Sequence, residues 1–177
     1  MKRLVWATLI IIALAAAGLM LLPSLVGTAK IVAPDSLKPA PESIPRVEAG
    51  SYLPDGLTGI RMGMSLENFR GTEHAKDASE KDFDFRITAT KRYQGKAFSE
   101  ATFYFDNDGD HPLYEVIVEY PSEYDLPRHL AEKHGDPTHE GEWRYRDHDD
   151  YYIMIWTFIN KVVIAANMKG TEHQSKK

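Results

Sequence analysis

The chain has 177 residues, 43% of them apolar and 27% charged, with no cysteine and a formal net charge of −5. That length leaves room for one domain of ordinary size plus extensions, while the lack of cysteine removes disulfides, thiolate metal sites and cysteine nucleophiles. The acidic balance argues against a nucleic-acid partner and against a surface that lies on anionic lipid.

Lys2 and Arg3 precede an apolar run from Leu4 to Leu22, closed by Pro23. A run of roughly 19 residues at ~1.5 Å each matches a ~30 Å hydrocarbon layer. Residues 1–29 are therefore predicted to form one N-terminal transmembrane helix. The flanking charges place the N-terminus in the cytoplasm and the rest of the chain outside, on the periplasmic or organelle-lumen side. A cleaved signal peptide ending near Gly27-Thr28-Ala29 is the competing reading, set aside because the run exceeds a signal core. Residues 30–50 carry Pro34, Pro39, Pro41 and Pro45 and read as a proline-rich linker. Residues 51–170 form the predicted extracytoplasmic domain, and 171–177 a disordered tail.

Within the domain, Ser65 in Gly63-Met64-Ser65-Leu66-Glu67-Asn68-Phe69 is placed to cap a first helix, with Met64 stapled on Phe69. A first strand alternates Phe83, Phe85, Ile87 and Ala89, and a second carries Ala101, Phe103 and Phe105. Asp108-Gly109 is a hairpin dipeptide, and Leu113 to Tyr120 forms the third strand. A second helix lies between Ser122 and His134. Pro127 moves its start to Asp125, and Gly135-Asp136-Pro137 ends it. Three more strands follow at Glu142 to Arg146, Tyr151 to Phe158 and Lys161 to Met168. The predicted class is α+β, with two helices packed on one face of a mainly antiparallel six-stranded sheet as a tandem α-β-β-β unit.

The Gly63-Met64-Ser65 helix start and the Leu130-Ala131-Glu132-Lys133-His134-Gly135-Asp136-Pro137 helix exit resemble the repeated phrase of small envelope proteins of the BamE/SmpA type and of the related beta-lactamase inhibitory proteins. The resemblance implies a helical segment on a three-stranded antiparallel sheet, carried twice in the inhibitors, and a binding domain without enzymatic activity in the cell envelope.

Two polar hairpins concentrate hard ligands. One holds Asp106, Asp108, Asp110 and His111, the other Asp147, His148 and Asp149. Carboxylates and imidazoles at such spacing could take a divalent cation, although glycine falls fourth and Ile117 twelfth, which is not an EF-hand. Each hairpin alone offers solvated ligands, so titration with calcium, manganese, zinc or ferrous iron is expected to shift the melting temperature no more than added salt. No cofactor is expected. His129, His134 and His139 straddle the second helix without stacking on one face and read as surface residues. No serine stands in a nucleophile motif. Trp143, with Arg144 and Arg146 on the opposite face of its strand, is the first candidate for partner binding. The functional expectation is a membrane-anchored protein-interaction domain, an accessory or scaffold component of a membrane-associated assembly and not an enzyme. A metal-binding or metal-delivery domain built on the two hairpins comes second, and an enzyme third.

Overall fold

A computed structural model describes residues 43–139 and 141–174. The elements are α1 (Leu66–Arg70), β1 (Ser79–Phe83), β2 (Arg86–Arg92), β3 (Glu100–Asp106), β4 (Leu113–Glu119), α2 (Leu126–His134), β5 (Trp143–Tyr145), β6 (Ile153–Phe158) and β7 (Lys161–Ala166). All seven strands join one antiparallel sheet in the order β1-β2-β3-β4-β7-β6-β5.

This corrects the expected class. The domain is mainly β, and its helices span only five and nine residues. Two physical reasons account for the difference. First, Ser79-Glu80-Lys81-Asp82-Phe83 is a strand with every residue exposed, so it has no apolar alternation to announce it. It pairs with β2 in a hairpin, and the expected strand from Phe83 to Ala89 is broken at the turn, leaving Phe83 and Phe85 in solvent. Second, much of the core's cover is irregular. Tyr52, Leu53, Leu57, Ile60, Met62 and Met64 all lie buried in turns and coil and join the hydrophobic core.

Among the described residues no helix is long and apolar enough to cross a membrane. That corrects the reading of a single-pass, cytoplasmic-membrane-anchored protein. The Leu4–Leu22 run on which it stood lies outside the described residues.

The caps form where the residue types favour them. Ser65 Oγ accepts from the Asn68 N–H at 3.2 Å, and Asp125 accepts from the Arg128 N–H at 3.3 Å. Gly135 closes α2 at φ +74°, a left-handed value that glycine reaches without a Cβ clash. The core lies on one face of the sheet, where Ala89, Phe103, Val116, Ile164, Ile155 and Trp143 stand in register from β2 to β5. Phe69 of α1 packs on Phe103 and Phe105 with ring centres 4.8 and 5.1 Å away, and Leu126 and Leu130 of α2 join the same core.

The ends of the domain also engage the sheet. Arg146 donates its N–H to Pro45 O at 2.9 Å, and Val47 donates to Arg146 O at 3.0 Å, a short parallel pairing that begins before residue 51. At the other end, Glu172 and His173 reach Tyr114 and Glu115 of β4.

Candidate functional site

The second face of the sheet carries Thr88, Tyr104, Glu115, Ala165, Met154 and Arg144 in one cross-strand row, and Thr90, Thr102, Ile117, Val163 and Trp156 in the next. Strand alternation sends these side chains away from the core. Tyr114, at the register shift between β3 and β4, has no cross-strand partner on β3. Neither helix covers this face. Glu172 and His173 lie over its Tyr114–Glu115 end, and the face continues along β6 from Trp156 to Phe158.

At that end stands the β6–β7 turn. Phe158 is 62% exposed and Ile159 is 84% exposed. Together with Phe83 and Phe85 at the β1–β2 turn, they are the large apolar side chains in solvent among the described residues. Ile159 has φ +59° while Asn160 does not share the left-handed value. That is the pattern of a two-residue type II′ hairpin, whose first position favours glycine. A β-branched residue there is strained, because its Cβ crowds the backbone. The neighbouring strand braces the turn: Asn160 Nδ2 donates to Tyr120 O at 2.7 Å, and the Tyr120 N–H donates to Asn160 O at 2.9 Å. A costly conformation is thus held firmly while it displays two apolar side chains.

The residues singled out from sequence are distributed differently. Trp143 is 5% exposed, its indole N–H donates to Gly135 O at 3.0 Å, and its ring lies 5.7 Å from that of His134. It is a core residue that ties α2 to β5. Arg144, on the other face, pairs with Glu142 and lies over the Tyr152 ring at 5.4 Å. Arg146 contributes its backbone to the pairing with Pro45 and Val47.

The first hairpin uses its polar groups within its own turn, and the second ties its carboxylates to residues near the start of the described chain. Asp106 accepts from the Asp108 N–H at 3.2 Å, His111 Nδ1 lies 3.1 Å from Asp106 O, and Asp108 and Asp110 are exposed. In the other hairpin, Asp147 accepts from Tyr52 Oη at 2.8 Å, Asp149 pairs with Arg46, and His148 stacks on Tyr151 with ring centres 4.8 Å apart. Burial and the Asp147 charge push the Tyr52 hydroxyl far above the ordinary tyrosine range. Among the described residues, neither hairpin brings three metal-ligating atoms together.

The histidines also depart from a uniform surface reading. His134 Nδ1 shares a hydrogen bond with Tyr145 Oη at 3.0 Å, and burial pushes its pKa down to about 4. His74 is fully enclosed, held between Tyr93 Oη at 2.9 Å and Thr58 O at 3.1 Å, and burial lowers its pKa as well. His74 lies within the core, His134 is half-buried beside it, and burial disfavours the charged form of each.

From sequence, Phe158 reads as one aromatic residue on a face of the Tyr151 to Phe158 strand, and Ile159 carries no reading. The available signal was a two-residue link between apolar strands, Ile159-Asn160, with no glycine at a position that favours one.

No protein-family model, curated protein or solved structure matches the chain.

Proposed function

We propose that this domain is a protein-interaction module without enzymatic activity, an accessory or scaffold component of a larger assembly, and that it engages its partner through the Phe158–Ile159 tip and the adjoining second face of the sheet. The observation that carries this reading is the tip. Ile159 holds an unfavourable backbone conformation while 84% exposed, so its side chain contributes little to the fold that bears the strain. Local strain retained at an exposed site points to function. Phe158, beside it at 62% exposure, adds an aromatic anchor of the kind that dominates interface energetics. Lys161, Glu119 and Glu100 flank the tip with both signs of charge, and Lys161 Nζ pairs with Glu119 at 2.9 Å. An apolar centre with a mixed polar rim suits a protein surface.

The test is affinity capture of the full chain from cells that make it, run beside Phe158→Ser and Ile159→Gly. Both variants retain the core. A partner held by the native chain and lost by both variants, with unfolding transitions still cooperative, supports the proposal. A partner retained by both removes the tip from the interface.

A further inference from the structure

We propose that Glu115, Glu172 and His173 form a binding site for a zinc-class divalent cation that fastens the C-terminal segment to the sheet. One ligand atom from each residue can be chosen so that all lie within 4.8 Å of one another. Around a tetrahedral ion with ligand distances of ~2.0–2.2 Å, neighbouring ligand atoms are about 3.4 Å apart. Glu172, exposed on the segment, can close on the pair by side-chain rotation, while His173 Nε2 and Glu115 Oε2, now in direct contact, move apart to admit the ion.

Glu115 sits in the middle of β4, paired with Ala165 of β7, and is only 6% exposed. A carboxylate so enclosed needs a cation or a metal. The side chain that reaches it is His173, through Nε2. Arg86, the nearby guanidinium, is directed elsewhere. It lies over the Phe85 and Tyr104 rings, 4.9 Å from each centre, and touches Glu172 Oε1 at 3.4 Å. Tyr114 Oη donates to that same Oε1 at 3.2 Å, so both contacts orient Glu172 and leave its Oε2 open. The hydroxyl thus acts on a ligand and not on the ion, as outer groups in metal sites do.

The donor set selects the cation. One imidazole and two carboxylates suit zinc and its first-row neighbours, whereas calcium takes six to eight oxygens. Three protein ligands would leave a fourth position for water. Because two ligands come from the C-terminal segment and one from the central sheet, binding would pin the segment where it lies.

The site shares no residue with either acidic hairpin or with the Phe158–Ile159 tip, and lies on the same second face of the sheet, where the His173 ring packs 5.9 Å from that of Trp156. Isothermal titration of the full chain with zinc chloride, with calcium chloride as comparison, tests it. The expected result is one saturable zinc site, no comparable calcium site, and protection of the C-terminal segment from carboxypeptidase on zinc addition. His173→Ala and Glu115→Gln should each weaken zinc binding by at least tenfold. Tyr114→Phe should weaken it by about tenfold, the lower end for loss of an outer-sphere group. His173 belongs to the terminal segment, so its variant tests the site even if Glu115→Gln disturbs the sheet. A double Asp108→Ala, Asp110→Ala variant should bind as the native chain does. Absence of a saturable zinc site overturns the assignment. So does affinity unchanged by His173→Ala, or binding lost with the hairpin variant.

Discussion

Replacing Ile159 with glycine should make this protein more stable. The perturbation removes a β-branched side chain from a residue at φ +59°, the first position of a two-residue turn. Relief of that backbone strain is worth about 1–3 kcal/mol. Against it stands the greater freedom of glycine in the unfolded chain, about 0.5–1 kcal/mol. The side chain is 84% exposed, so lost burial costs about 0.5 kcal/mol or less at ~25 cal/mol per Å². The balance favours glycine by about 0.5–1 kcal/mol, or roughly 3 °C in melting temperature for a domain of this size. Urea unfolding followed by tryptophan fluorescence measures it, with Ile159→Ala as control. Alanine keeps the Cβ that crowds the backbone and should not stabilise. A glycine variant no more stable than the native chain would refute the strain argument. An alanine variant as stable as glycine would show that exposed bulk, and not backbone conformation, is the cost.

Further predictions concern the core and the ends of the domain. Trp143→Ala should cost about 3–5 kcal/mol, because it opens a cavity and leaves Gly135 O without its donor; urea unfolding measures the loss. Tyr52→Phe removes the hydroxyl that donates to Asp147 and accepts from the Met62 N–H, and should lower stability by about 1–3 kcal/mol in the same assay. His134 has a folded pKa of about 4 against an ordinary 6.5, so its stabilising contribution is full above about pH 6.5 and declines as pH falls toward 4. Melting temperatures between about pH 7 and pH 5 should therefore fall less for His134→Gln than for the native chain. A fragment starting at Ser51 should be less stable than one starting at Ser43, because it lacks the two backbone hydrogen bonds to Arg146 and the Val47 packing; paired thermal melts decide this.

The parts of the fold that could be read from sequence are those where alternation or capping has one meaning. Ala101, Phe103 and Phe105 are fully buried on β3 while their neighbours are partly exposed, as period two requires. Ser65 and Asp125 cap where their side chains can reach free N–H groups. The failures share a physical cause, which is that local pattern does not report what lies opposite. In Trp143-Arg144-Tyr145-Arg146, alternation shows which residues share a face and leaves open which face is covered; the structure puts Trp143 inside. The β1 strand carries no buried face and is held by pairing with β2, by Arg70 on Glu80 and by Asn107 Nδ2 donating to Phe83 O. The buried segment from Tyr52 to Met64 follows neither period, because its path is set by turns. Phe158 looks like one more alternating strand residue, and its exposure depends on where β7 turns back. Glu115 could have been noticed as a charge within the apolar Leu113–Tyr120 run, but its approach to Glu172 and His173 spans a sequence distance that no local pattern carries.

The proposed interface is tested most directly by site-specific photocrosslinking in cells that make the protein, with the reactive residue placed at Phe158, at Ile159, or at Glu132 on the exposed side of α2. A discrete adduct to the same partner from positions 158 and 159, and none from position 132, is the predicted result. Adducts of equal yield from all three positions, or none from the tip, would contradict it.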